Sequence, residues 1–341
     1  PDGGWYVVTG DVTIGQRVTV NGNVHLILAD GCNLTVNGGI NVSEGNSLTI
    51  YAQSTGKDMG ALTATGTDSQ AGIGNGYYST GGIITINGGT VKATGGGGGA
   101  GIGGGAFGAV DTITISGGAV TATGGINSGA GIGGGGTIII SGGTVNATGG
   151  YGGGTGIGGS GTIIISGGTV TANGNFGGAG IGGGSGTFST GKDGRAVIIA
   201  SRIDDKDDTT EWSGVVFQGK TGAVYGANIA PAEDFTIPAD STLTIENGKT
   251  LTISEGVTLT NNGTIIVENG GALVNQGTIV NNGEIQLSGG STVQTGGGPS
   301  ITVGKDDTTV DNDGSVTLPE GGSATIGSGG NTTTITTPDG G

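Results

Sequence analysis

An isoleucine ringed by glycine recurs five times in this chain, in "QAGIGNG" ending at Gly76, "GAGIGGG" at Gly105, "GAGIGGG" at Gly135, "GTGIGGS" at Ser160 and "GAGIGGG" at Gly184. The isoleucines are Ile73, Ile102, Ile132, Ile157 and Ile181, spaced 29, 30, 25 and 24 residues apart. A unit of that length cannot bury its own apolar face and must stack on its neighbours, so the period is that of one coil of a β-solenoid. One coil reads from Gly161 to Gly184: strand "TIIIS", turn "GG", strand "TVTAN", loop "GNFGG", short strand "AGIGG".

Stacking the coils puts Ile84, Ile113, Ile138 and Ile163 in one column and Ile86, Ile115, Ile140 and Ile165 in a second. Alternation along a strand turns both columns inward. The second strand adds inward Val91, Val120, Val145 and Val170, then Ala93, Ala122, Ala147 and Ala172. Thr85, Thr114, Ile139 and Ile164 must then face out, as must Lys92, Thr121, Asn146 and Thr171, and the row Thr94, Thr123, Thr148, Asn173. The pattern predicts an all-β parallel β-helix with about three strands per coil.

Other segments fit the same physics. Residues 1–70, with "NG", "DG" and "EG" between short alternating runs, are expected to form an N-terminal cap and the first coils, and 71–190 the glycine-rich coils. Residues 191–234 hold the densest charge and Trp212, Phe217 and Tyr225, and are expected to be an excursion or bridging element. From 235 to 298 apolar pairs recur every six to eight residues ("STLTIENG", "KTLTISEG", "TIIVENG"), a shorter-repeat β-solenoid section; 299–341 reads as a small β element or linker.

Composition narrows the function. Glycine occupies 87 positions and proline only 6, without an every-third-residue pattern, which excludes collagen. Disorder is opposed by regular apolar runs such as "TIIIS". A net charge of −16, with only ten Lys and Arg, opposes binding to nucleic acid and to anionic membrane. No run approaches the roughly 20 apolar residues of a membrane helix. Cys32 shares a strand face with Leu34 and Val36 and is expected to be a buried core thiol. The abrupt ends, "PDGGW" and "PDGG", suggest a fragment of a longer secreted protein.

At "RVTVNGNVHLILADGCNLTVNGGINVSEGNSLTIYAQ", the "AGIGGG" motifs, "TITISGGAVTATGG" and "TLTIENGKTLTISEGVTLT", the chain resembles secreted, cell-surface proteins of Gram-positive gut bacteria. These are carbohydrate-binding-domain or adhesin-like proteins of the pectin-lyase-like group. The resemblance spans roughly Trp5 to Gly297 and implies a right-handed parallel β-helix at the surface of a bacterium or secreted from it. It implies no single activity, because that scaffold hosts lyases, hydrolases and binders.

Any chemistry on this scaffold is therefore set by individual side chains. A phosphate cradle needs a following helix and usually a lysine; each glycine motif here leads into a strand. A β-helix hydrolase needs clustered carboxylates on an exposed strand face, and the outward rows hold Thr, Asn, Lys and Ile. A lyase would need carboxylates around Ca²⁺ beside a basic residue. Arg195 and Arg202 lie near Asp193, Asp204, Asp205, Asp207, Asp208 and Glu211, so Asp204, Asp205, Asp207 and Asp208 are the candidate calcium ligands, against the alternative of a solvated charged loop. "DNDG" at 311–314 lacks a third oxygen position and reads as a turn. His25 has no nucleophile beside it and reads as a surface or cap histidine.

Aromatic residues are scarce, so their positions carry weight. Tyr77, Tyr78 and Phe107 follow a glycine motif, while Tyr151 and Phe176 precede one; all five are candidate ligand-binding residues by stacking on sugar rings, or they pack over neighbouring coil edges. The Thr rows also suggest ice binding, interrupted by Lys92, Ile139, Asn146, Ile164 and Asn173. The expected function is a non-catalytic extracellular module, carbohydrate-binding or an adhesin stalk, with a polysaccharide or a host or cell-wall glycan as partner. No cofactor is expected unless the acidic cluster holds Ca²⁺. A polysaccharide-degrading lyase or glycoside hydrolase, and a self-associating filament protein, are the alternatives.

Overall fold

The structure, a computed structural model, describes residues 1–204 and 212–295 and, beyond them, the strands at 300–303, 308–310, 316–317, 323–328 and 331–336. Among the described residues the regular elements are all strands, without a helix. Contacts divide the chain into two units, Pro1–Thr190 with Ile198–Glu211, and Gly191–Val197 with Trp212–Gly341.

The first unit is a parallel β-helix of three faces. Its first face stacks Asp2–Val8, Asn21–Leu28, Ser47–Ala52, Ile83–Ile86 and Thr112–Ile115, all parallel. The second stacks Asp11–Ile14, Asn33–Gly38, Ala61–Gly66, Thr90–Thr94 and Ala119–Thr123. On the third face each strand is only two residues long: Val18–Thr19, Ile40–Asn41, Ile73–Gly74, Ile102–Gly103, Ile132–Gly133, Ile157–Gly158, Ile181–Gly182 and Ile203–Asp204.

The expected columns pair residue for residue. Ile84 opposes Ile113, then Ile138 and Ile163, while Val91 opposes Val120, then Val145 and Val170. These side chains and the third-face isoleucines are buried, and the intervening Thr and Lys positions are exposed or half-buried. Ile139 and Ile164 do face outward, half-buried between Thr114 and Ser189.

One local expectation needs correction. In the coils carrying Ile138 and Ile163 the glycine pair does not separate two strands; Thr137–Thr148 and Thr162–Asn173 are each a single strand. The corner survives inside the strand, where Gly143 and Gly168 hold φ of 81° and 79° and the pairing register shifts. A left-handed glycine lets the chain turn without breaking its ladder.

Arg17 clamps the early coils. Its guanidinium donates to the carbonyl oxygens of Gly38, Ala71, Gly74 and Asn75 at 2.9–3.1 Å. Burial pushes its pKa down to about 10, and the four acceptors favour the charged form at neutral pH. Cys32 is buried and burial pushes its thiol pKa up. Native protein is therefore expected to resist a thiol reagent that labels it fully in denaturant; labelling of the native protein at the rate of a small free thiol would refute this placement.

In the second unit a hairpin of Gly214–Gln218 and Thr221–Tyr225 precedes a narrower solenoid. Three inward columns run through it: Leu243, Ile265 and Ile285; Ile229, Leu251, Leu273 and Val293; and Phe235, Leu259 and Ile279. The apolar pairs that recur every six to eight residues are thus one strand each, three to a coil. Buried Asn261 donates to Asn281 Oδ1 at 2.7 Å and accepts from the Gly263 N–H, a side-chain ladder that replaces an apolar contact. Antiparallel strands follow from Ser300–Val303 onward.

Candidate functional site

The two-residue strands of the third face leave long loops on either side, and these loops carry the aromatics. Tyr78 and Phe107 lie one coil apart with ring centroids 5.1 Å apart and planes 17° from parallel. Tyr77 meets Tyr78 edge-on at 4.5 Å and Phe107 at 6.0 Å. Tyr151 and Phe176, from the loops of later coils, meet at 4.2 Å and 63°. The five predicted residues therefore form two groups, a trio and a pair. Their rings are not sealed under neighbouring coil edges: relative exposures are 55% for Tyr77, 68% for Tyr78, 77% for Phe107, 60% for Tyr151 and 69% for Phe176.

Three of these residues hold a backbone that bulky side chains avoid. Tyr78, Phe107 and Phe176 have φ of 51°, 57° and 45°. The left-handed region is strained for L residues and persists only where surrounding contacts impose it. For the trio the imposing residue is Asn75. Its side chain, with no solvent exposure, donates to the carbonyl oxygens of Ser79 and Ala109 and accepts from the Gly105 N–H at 2.6 Å. It thus ties the Tyr77–Tyr78 loop to the loop bearing Phe107, aided by Tyr78 N–H to Ala106 O at 3.1 Å. The equivalent position in later coils is glycine: Gly104, Gly134, Gly159 and Gly183. The departure of "GIGNG" from "GIGGG" was the available signal, and sequence reasoning passed over it.

Beside the trio runs a groove of about 500 Å³ across successive coils, edged by Phe107 and lined by backbone at Gly104, Gly134 and Gly159 and by Ser128, Thr155 and Ser160. No Asp, Glu, Lys or Arg lines it. Loss of hydration, with repulsion from neighbouring Tyr78, raises the Tyr77 pKa, so that phenol is neutral at pH 7. The surface offers aromatic faces, hydroxyls and peptide groups, all uncharged.

The acidic candidates are elsewhere. Asp204 pairs with Arg202 at 2.7 Å, and Arg202 also donates to the Gly177 carbonyl. Asp205, Asp207, Asp208 and Glu211 lie outside the described residues, as do 311–314. Among the described residues no three His, Cys, Asp or Glu side chains come together as a metal site.

A family model described as a beta helix repeat matches residues 84–106, 113–136 and 163–185. The chain carries beta-helix repeats. Each match opens on an inward isoleucine of the first face and closes just past a glycine motif, so one match is one coil. No curated protein and no solved structure matches the chain. The fold is therefore that of a parallel β-helix protein, a scaffold consistent with surface or carbohydrate-related modules.

Sequence reasoning also passed over a third aromatic group, on the first face. His25 is not isolated: Trp5 stacks on it at 4.3 Å and 15°, and its Nδ1 lies 3.3 Å from the Tyr51 hydroxyl. The signal would have been the one-coil register of Trp5 with His25, which a bulge between Asp2 and Gly4 obscures.

Proposed function

We propose that this protein is a non-catalytic extracellular module that binds carbohydrate through the aromatic-edged third face of its β-helix. The observation that carries the reading is the solvent-exposed Tyr77, Tyr78 and Phe107 trio, whose two loops Asn75 ties together with Tyr78 and Phe107 in a strained backbone. Rigid exposed rings lose little conformational freedom on binding and offer their faces to the C–H surface of a sugar. The neighbouring hydroxyl and peptide groups supply hydrogen bonds, and successive coils supply repeated weak contacts. The acidic surface suits a secreted or cell-surface location and repels polyanions.

The test is binding to immobilised plant, mucin and cell-wall polysaccharides, with calcium present and absent, beside an assay for released reducing ends. Wild type is expected to bind without releasing product. Tyr78→Ala and Phe107→Ala should each weaken binding about 3- to 10-fold, the range of one stacking contact. Product release would replace the module with an enzyme, and absence of binding to every polysaccharide would leave only a spacer or assembly role.

A further inference from the structure

We infer that the groove on the third face holds one uncharged, equatorially linked glycan chain, extended along the stacking direction and gripped by both aromatic groups. The ligand class rests on the carbohydrate reading above; that a single chain joins the trio to the pair rests on the groove. One ridge of the groove is formed by the loops that precede each glycine motif, with Gly98, Ser128 and Gly153, and the other by the loops that follow, with Phe107, Gly135 and Ser160. The trio belongs to the second ridge, and Tyr151 and Phe176 to the first, in later coils. Gly153 joins the pair to the wall: it is two residues from Tyr151, and a Cβ on it would lie 3.9 Å from the Phe176 carbonyl oxygen. A chain between the ridges thus runs from Phe107 to the pair.

The groove is interior to the stack. Third-face strands continue past it, Ile40–Asn41 and Ile73–Gly74 before and Ile203–Asp204 after. Its floor is straight, because Ile102, Ile132, Ile157 and Ile181 pair in succession without a shift of register. Strands lie about 4.8 Å apart, so these coils span about 14 Å and rise by roughly one sugar ring per step. Equatorial linkages give a ribbon that follows such a floor, whereas axial linkages coil the chain away from it. Hydroxyls of Thr155 and Ser160 line the way, and Ser128 Oγ, which donates to the Gly152 carbonyl at 2.6 Å, keeps its lone pairs for a sugar hydroxyl. With no Lys or Arg in the lining, nothing neutralises an acidic sugar, and the net charge of −16 repels it.

Titration calorimetry on the whole chain tests this with four probes: the disaccharide and hexasaccharide of β-1,4-linked glucose, the α-1,4-linked glucose hexasaccharide, and an oligogalacturonate. The β-linked hexasaccharide is expected to bind one per protein and about tenfold or more tighter than the disaccharide, because its later rings bind at high effective concentration. Phe107→Ala should weaken both. Tyr151→Ala, and Ser160→Trp, which puts an indole in the groove, should each cut the hexasaccharide's advantage roughly threefold or more, the range of one stacking contact. Should Ser160→Trp fail to fold, as circular dichroism would show, Tyr151→Ala alone decides. Two hexasaccharides per protein, or an advantage that survives Tyr151→Ala, would make the trio and the pair separate sites and overturn the inference. Equal binding of the α-linked or the acidic probe would overturn the ligand class. Binding that Phe107→Ala weakens but that shows no preference for length sinks the inference and spares the carbohydrate reading; if none of the probes binds, and no polysaccharide does, both fail.

Discussion

Gly103→Val should leave the first unit unable to reach its native stack, with a loss above about 4 kcal/mol, the range reserved for core-disrupting changes. Gly103 follows the third-face isoleucine and holds φ of 129°, where a β-branched residue is strained. A Cβ there would also collide with the carbonyl oxygen of Gly133 in the next coil, and that atom belongs to the ladder itself. Moving it away would disturb the neighbouring Gly104 N–H to Gly133 O bond of 2.8 Å. Gly177 separates strain from collision: its φ is 88°, but a Cβ would meet nothing within 4 Å. Gly177→Ala should therefore lose only about 1–2 kcal/mol, the intrinsic penalty of the left-handed region. Thermal and urea unfolding by circular dichroism would decide, and equal losses would refute the collision argument.

Ile132→Ala should cost about 2–5 kcal/mol, and we expect the upper half of that range. Ile132 is fully buried between Ile102 and Ile157. Collapse onto the missing side chain is prevented because its coil is bonded both ways, Ile132 N–H to Gly156 O at 2.9 Å and Ile102 N–H to Gly131 O at 3.0 Å. In a stack where each coil touches only its neighbours, such a defect also weakens the coupling between the coils on either side. Urea unfolding should then show a lower midpoint and a shallower slope, or two transitions. A loss under about 1 kcal/mol with an unchanged slope would mean that the coil closes over the gap.

These effects follow from features of different legibility. The inward columns could be read because two periods coincide, two along the strand and one coil along the chain, so Ile84, Ile113, Ile138 and Ile163 had only one consistent register. The loops bearing the aromatics were equally readable. Their pairing into a trio and a pair was not, because it depends on φ values at Tyr78, Phe107 and Phe176 that no local rule assigns to aromatic residues. The hydrogen bonds of Asn75 that impose the trio's geometry join residues as far apart as 34 positions. The fused strand Thr137–Thr148 escaped for a related reason: a glycine pair signals a turn whether or not the ladder continues through it.

The parallel ladders have a mechanical consequence. In the first unit the ladder hydrogen bonds between coils run roughly along the stacking direction, so tension applied along that direction opens one row at a time instead of shearing many together. Each opened coil between Ile73 and Ile181, 24 to 30 residues long, frees on the order of 80–100 Å of chain. In the proposed surface role such a module would lengthen in steps under flow, each step dissipating energy before the load reached a sugar at the aromatic loops.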